Sequence, residues 1–468
     1  MCALNESSVV NLIFYQLLIL SFFLYLLSFF KLIPFFHYEI LVVLVAFLGV
    51  FVLRERQKFH LSSWFILFPF AIIILVHSIP LLRFSLPLGF DAGIYKYLFE
   101  HSGVLHGYAE ARGLYVLGDI LQIFLRSDYL LTWVLIFLAL LTGLFVFLNG
   151  KKYFGQEAGF FSLVMYAVSS VQLKAFHFLY YKQLFALLLL LIILYYLEYP
   201  LIVILVGSYL AGVHTPTFLI FMISYFLFSL RHIKTHLPCF AAICVLGSPF
   251  YFSNPALLQP LQQIEQIGGG NFLSLTAYFI LSTSLFFAFL GVFQVLRKKE
   301  FGLLLFLTIV TSVIVLFRLF FYYRYLISLD LFLTLFSGFG IFLLLQHHKK
   351  LGTFILLGFL GLSFFSVFHE AFLATPEITE ETFQEILTLP LGTILTERVY
   401  APWILGYRGD VIAPLLFGDT HTKQEWNAFF NGDNETLLLV YHPDLVYVDQ
   451  DLPYSCLRKE QYYYVSSC

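Results

Sequence analysis

The segment Leu88-Gly-Phe-Asp-Ala-Gly-Ile-Tyr-Lys-Tyr97 sets a single acid, Asp91, between two glycines just past the end of an apolar run. A carboxylate in such a place can accept a proton from a hydroxyl or bind a cation. Gly89 and Gly93 leave room for a ligand to approach the backbone, with Tyr95 beside them. A second reading stands next to this one, because Asp91 also suits the N-cap of a short helix over Ala92–Glu100. Cationic side chains at the ends of other apolar runs form a further group. Arg318 and Arg324 bracket Leu-Phe-Phe-Tyr-Tyr. A guanidinium fork binds phosphate bidentately, while arginines at a membrane edge also snorkel to headgroups. Lys182 lies in Tyr180-Tyr-Lys-Gln183, and His214 opens His-Thr-Pro-Thr217. At that break a freed backbone and an imidazole can line a cavity, or the ring can pack against a neighbouring helix.

Several signatures do not occur. The chain has no phosphate-cradling Gly-Lys-Ser/Thr loop, no Gly-x-Gly-x-x-Gly, no His-Glu-x-x-His and no Gly-x-Ser-x-Gly. Use of ATP by this chain is therefore not expected.

The elements that must carry these residues are dictated by composition. Of 468 residues, 60% are hydrophobic and 12% charged, with 58 Phe, 30 Tyr and 4 Trp. Ordinary soluble chains are about 45–50% apolar and about 25% charged, and a mean hydropathy of +0.88 exceeds what water-facing cores can hide. Lipid is the expected solvent for most of the chain. The net charge of −2 conceals an asymmetry: residues 375–468 hold 14 acids and 5 bases, and residues 1–374 hold 14 acids and 21 bases. That split predicts a membrane body, 1–374, followed by a water-soluble domain, 375–468. No basic stripe exists, so nucleic acid is excluded as a partner. Among five cysteines, Cys456 and Cys468 lie in the polar tail, where they form a disulfide if the tail is exported and are free thiols otherwise.

A span needs about 20 apolar residues, and in lipid such runs read as helices. About thirteen are expected, near 9–30, 33–53, 62–82, 129–149, 156–173, 177–198, 200–213, 215–230, 237–252, 272–296, 302–320, 325–345 and 351–372. The pair at 200–213 and 215–230 is short and broken at His214, so two half-helices are the alternative. The clusters Arg54/Arg56/Lys58, Lys151/Lys152, Arg231/Lys234, Arg297/Lys298/Lys299 and Lys349/Lys350 fall in alternate loops. A cytoplasmic N-terminus and an external tail follow. The opposite, external side then holds a long loop at 83–128, the region of Lys174 and Lys182, the break at His214, a Gly-rich stretch at 253–271 and the segment with Arg318 and Arg324.

This order of motifs resembles the GT-C superfamily of polytopic glycosyltransferases, which draw on lipid-phosphate-linked sugars outside the cytoplasm. The resemblance is carried by Gly-Phe-Asp91-Ala-Gly in the first large external loop, Tyr-Lys-Gln opening an apolar helix, His-Thr-Pro-Thr at a helix end, and Arg324-Tyr-Leu followed by Phe336-Ser-Gly-Phe-Gly340. In the tail, Pro390-Leu-Gly-Thr-Ile-Leu-Thr, Gly406-Tyr-Arg-Gly-Asp-Val and Leu439-Val-Tyr-His-Pro-Asp-Leu-Val-Tyr-Val448 resemble small exported α/β domains of uncharacterised, mainly archaeal, members.

The resemblance implies an all-α polytopic membrane protein with a small extracytoplasmic C-terminal α/β domain, multi-pass in the cell membrane. It further implies transfer of a hexosyl or pentosyl group from a polyprenyl- or dolichyl-phosphate donor to a glycan, lipid or protein acceptor, with inversion. Asp91 would be the base, and Arg324, Arg318, Lys182 and His214 would bind the donor phosphate. Two departures stand out. The Trp-Trp-Asp-Tyr-Gly signature of oligosaccharyltransferases is missing, which disfavours en-bloc transfer to asparagine. The family's paired acids are here Asp91 beside Ala92, so no cofactor is certain and a divalent Mg or Mn ion at Asp91 stays open. Rival readings are a secondary transporter or lipid-linked-sugar flippase, a non-catalytic membrane subunit or receptor, and a polymerase or ligase using the same donors.

Overall fold

The computed structural model describes residues 63–101, 104–105, 108–109, 113–252, 272–282, 284–299, 302–319, 322–414 and 421–467. The apolar runs expected at 9–30 and 33–53, the cluster Arg54/Arg56/Lys58 and the Gly-rich stretch at 253–271 lie outside these residues. The chain is mostly helical, with a small sheet. Two compact units divide it. The first holds Ile136–Phe176 and Tyr180–Leu373 with the described residues up to Ile79, and the second holds Pro80–Leu135, His177–Leu179 and Ala374–Cys468.

In the first unit, helices occupy the apolar runs because those runs contain little else. They are Leu67–Arg83 (continuing into the second unit from Pro80), Trp133–Phe154 (starting in the second unit), Gln156–Ala167, Ser170–His177, Tyr181–Tyr195, Pro200–Ala211, Thr215–Ser229, Ile233–Phe252, Leu275–Leu281, Ser284–Lys298, Leu303–Leu316, Tyr322–His347 and Lys349–Leu373. Among the described residues, three helical stretches are long and apolar enough to cross a membrane: Ser127–Phe154, Tyr322–His347 and Lys349–Leu373. Gln156–Ala167 and Ser170–His177, bent by 48° at their break, make a fourth if they count as one span. The other apolar helices are shorter: Pro200–Ala211 has 12 residues, Leu67–Arg83 has 17 and Ile233–Phe252 has 20, or about 18–30 Å at 1.5 Å per residue.

Tyr322–His347 is the axis of this unit. It packs against Ser284–Lys298 so tightly that a Cβ on Gly340 would lie 2.0 Å from the Phe287 carbonyl oxygen, and one on Gly291 would lie 2.1 Å from that of Phe336. Small residues at helix crossings permit this approach where lipid supplies no hydrophobic drive. Phe286 and Phe287, with Phe161, Met165, Ile341 and Phe359, fill the space around the crossing.

The second unit joins the tail with Pro80–Leu135. It contains the short helix Ala92–Glu100, the antiparallel pair β1 (Val104–Leu105) and β2 (Tyr108–Ala109), and helices Gly113–Gln122 and Ser127–Leu130. The tail supplies helices Glu380–Thr388, Ala401–Tyr407, Lys423–Phe430 and Thr436–Tyr441 with strands β3 (Ile394–Thr396), β4 (Val411–Ile412), β5 (Leu445–Tyr447), β6 (Leu457–Lys459) and β7 (Tyr464–Ser466). The sheet order is β4-β3-β5-β7-β6, with β3 parallel to both its neighbours and β7 antiparallel to β5 and β6. Every residue of β3 and β5 is buried, as expected for parallel strands covered on both faces. Leu395, Val446, Trp426, Phe429 and Tyr464 form the core beneath them. Lys423–Phe430 starts at a capping box made by Thr422 and Glu425. Cys456 is disulfide-bonded; the cysteine expected to pair with it, Cys468, lies outside the described residues.

Candidate active site

Within the second unit, Asp91 occupies the N-cap position of Ala92–Glu100, and its side chain makes no capping hydrogen bond. Only the backbone carbonyl serves the helix, taking the Tyr95 N–H at 2.9 Å. The half-buried carboxylate therefore does not do the work that the N-cap alternative assigned to it.

The room left by the two flanking glycines is taken up by protein. Gly89 has φ +86°, and a Cβ there would lie 2.7 Å from Leu179 Cβ and 2.9 Å from the Phe178 carbonyl. Gly93 faces Ala401–Tyr407, with a Cβ position 1.8 Å from the Pro402 oxygen. Tyr95 is buried, with its ring centroid 6.5 Å from that of Phe99. Gly89 and Gly93 thus permit the close packing that holds the Asp91 segment in place, while Tyr95 packs within the helix itself. Tail residues frame the same segment: Arg398 lies over the Phe90 ring at 5.9 Å, and Lys96 over the Tyr407 ring at 5.0 Å.

The four remaining candidates belong to the first unit. Arg324, in the first turn of Tyr322–His347, is half-buried, with its guanidinium carbon 5.1 Å from the Tyr180 ring centroid. Its Nε has no hydrogen-bond partner. Gln183 donates to the Arg324 carbonyl at 2.7 Å, and Phe272 meets Tyr180 at 5.5 Å between ring centroids. Lys182 is half-buried in the first turn of Tyr181–Tyr195.

His214 is buried at the break between Pro200–Ala211 and Thr215–Ser229, outside both helices. Its Nδ1 accepts from the Thr217 backbone N–H at 3.4 Å and lies 2.8 Å from the Thr217 hydroxyl. This network assigns the proton of the neutral ring to Nε2. Burial first, then the positive charges of Arg324 and Lys182, hold the imidazole well below its usual range. Arg324, Lys182 and His214 therefore share one electrostatic environment.

Arg318 is different. It is exposed, with φ +53°, and ends Leu303–Leu316 through hydrogen bonds from its own N–H to Val315 and from Leu319 N–H to Ile314. These two bonds make a Schellman termination with arginine where glycine is usual.

Tyr180, Phe272, Gln183 and Arg398 were not singled out from the sequence as site residues. Tyr180 and Gln183 do flank Lys182 in its motif, whereas nothing local marks Phe272 or Arg398. Among the described residues no group of three or more His, Cys, Asp or Glu side chains comes together.

No family model matches the chain, and no curated protein sequence matches it. Solved structures do. The apo oligosaccharyltransferase of Archaeoglobus fulgidus is 12% identical at a TM-score of 0.58, over 82% of this chain and 69% of that one. The same organism's oligosaccharyltransferase AglB, in complex with an inhibitory peptide and a dolichol-phosphate, is 13% identical at 0.60, over 83% and 69%. ArnT from Cupriavidus metallidurans in the apo state is 10% identical at 0.54, over 86% of this chain and 97% of that one. This chain thus has the fold of the GT-C glycosyltransferases, the class to which both of these proteins belong.

Proposed function

We propose that this protein is a membrane glycosyltransferase that moves a sugar from a polyprenyl- or dolichyl-phosphate-linked donor to an acceptor hydroxyl on the extracytoplasmic side. The observation that carries the reading is the half-buried Arg324 guanidinium, stacked on Tyr180 with its Nε unpartnered, in a fold that it shares with a protein solved with dolichol-phosphate. In the reaction the acceptor oxygen attacks the anomeric carbon, and Asp91 takes the hydroxyl proton. The bond from the anomeric carbon to the phosphate oxygen breaks, and the polyprenyl phosphate leaves with the electron pair. One displacement inverts the anomeric centre. Charge grows on the leaving phosphate, and fixed donors aimed at developing charge are often the largest single catalytic contribution. The Arg324 fork, Lys182 and the Nε2–H of neutral His214 are suited to that task, with Arg318 contributing charge from the helix end.

The same proposal places about thirteen spans in the bilayer, the N-terminus in the cytoplasm and the 375–468 domain outside. Alternating basic loops support it, as does the disulfide at Cys456, since disulfides persist in oxidising compartments. The acceptor is a glycan, a lipid or a protein. Incubation of the purified protein with a panel of radiolabelled polyprenyl-phosphate sugars tests the reaction: at least one is expected to be consumed, and consumption of none overturns the proposal. Cysteine-accessibility labelling at Thr422 and Ser63 tests the sidedness, and labelling of Thr422 from the cytoplasmic side alone would reverse it.

A further inference from the structure

Asp330 lies in the middle of Tyr322–His347 and is 1% exposed. Its carboxylate is saturated by neutral donors: Oδ2 accepts from Ser169 Oγ at 2.7 Å and Gln172 Nε2 at 3.1 Å, and Oδ1 accepts from Ser282 Oγ at 2.9 Å and Ser284 Oγ at 3.3 Å. A carboxylate in an apolar interior is costly unless its hydrogen bonds are made, so a chain that keeps one there gains something from the bonds.

Both donor pairs sit where a helix has been interrupted. Ser169 follows the 48° break after Gln156–Ala167 and caps Ser170–His177 by accepting the Gln172 N–H at 3.2 Å. Ser282 and Ser284 flank the break between Leu275–Leu281 and Ser284–Lys298. The carboxylate therefore faces the starts of two helices, whose positive ends favour it.

One of these donors also ties the next turn toward Arg324, and a second glutamine ties Arg324 itself. Besides binding Asp330, Gln172 Nε2 donates to the Ile327 carbonyl at 2.9 Å, and Gln183 Nε2 donates to the Arg324 carbonyl at 2.7 Å. Residues 324, 327 and 330 follow one another at steps of three, so successive turns at this end of Tyr322–His347 are each tied to a neighbouring segment. Ser170–His177 runs from the clamp toward Tyr180, whose ring lies against Arg324. Leu275–Leu281 runs from the clamp back toward Phe272, which packs on Tyr180.

We propose that Asp330 is a positioning residue for the donor-phosphate site: by clamping two broken helices at their starts, it sets the place and aim of the Arg324 guanidinium. This rests on the reading of Arg324 as a phosphate ligand. Asp330→Asn weakens the clamp: with its oxygen kept toward Ser169 and Gln172, its amide must donate to the Ser282 and Ser284 hydroxyls, so charge-assisted bonds are exchanged for neutral ones. Ser169→Ala removes one donor and leaves the helix axis intact.

The test is equilibrium binding of undecaprenyl phosphate to the full-length protein in nanodiscs. Wild type is compared with Asp330→Asn, Ser169→Ala, Arg324→Lys and the doubles of each clamp variant with Arg324→Lys. Each clamp variant is expected to weaken binding by roughly two- to tenfold, the loss of a single net hydrogen bond. Adding it to Arg324→Lys is expected to cost little more, because the two act on one contact. Ser169→Ala carries the test if Asp330→Asn does not fold. Weak binding by Arg324→Lys with normal binding by the clamp variants overturns the clamp alone, as do losses that add fully in the doubles. Normal binding by Arg324→Lys overturns the phosphate reading and the clamp with it.

Discussion

Gly93 and Gly406 meet backbone to backbone. A Cβ on Gly406 would lie 2.4 Å from the Gly93 carbonyl oxygen, and one on Gly93 would lie 1.8 Å from that of Pro402. The first glycine is two residues from Asp91 and the second is in the tail, so this crossing joins the candidate base to the sheet domain. Gly93→Ala or Gly406→Ala must separate the helices, at roughly 1–3 kcal/mol for overpacking. Lower thermal midpoints are expected for each, with the double variant losing less than the sum because both relieve or strain one crossing. A midpoint equal to wild type in either single variant would refute the crossing.

Asp91→Asn is expected to reduce sugar transfer by about 10²–10⁴-fold, the usual worth of a general base, while the thermal midpoint stays near wild type. Stability is expected to hold because Asn is as good an N-cap residue as Asp at this helix start. Transfer rates close to wild type would remove Asp91 from the reaction.

The two arginines should separate in donor titrations. Arg324→Lys keeps the charge but loses the fork and the stack on Tyr180, and donor affinity is expected to fall about 10–100-fold, within the roughly 1.5–3 kcal/mol of a charge-assisted hydrogen bond. Arg318→Lys should lose less, since that residue is exposed at a helix end. Arg318→Gly should even gain up to about 1 kcal/mol in stability, because its positive φ costs a residue with a Cβ. Equal, near-wild-type donor constants for both lysine variants would move the phosphate site to Lys182 and His214.

Stability of the tail should depend on Glu397. Burial, and then the Asp449 carboxylate, raise its carboxyl above the usual glutamate range. The folded state then holds a proton that the unfolded chain releases sooner, so its contribution is favourable in acid and is lost as pH rises through the folded value. Glu397→Gln is expected to raise the thermal midpoint at pH 7, modestly because the group is half-exposed, and to lose that gain below pH 4.5. A midpoint difference independent of pH would rule out titration of Glu397 as the cause.

Residue order alone determined the local elements. The apolar runs from 62–82 to 351–372 became helical because such runs leave the backbone no partner but itself, although 156–173 and 272–296, each expected as one helix, are broken at Ser169 and Ser282. His-Thr-Pro ended one helix and began the next at His214 through a cap and a proline in the first turn. The short helix after Asp91 began and ended where its residues suggest. The strands and helices of the tail were implied only by the resemblance of its motifs. None of that foretold which distant residues would meet. That Gly93 serves a helix crossing, that Arg324 lies against Tyr180 while Arg318 is exposed, and that Asp330 collects serines as far as 161 residues away were decided only by packing. Helix and turn signals act over three or four residues, whereas a contact between remote segments depends on how whole elements stack, and neither partner carries a local mark of the other.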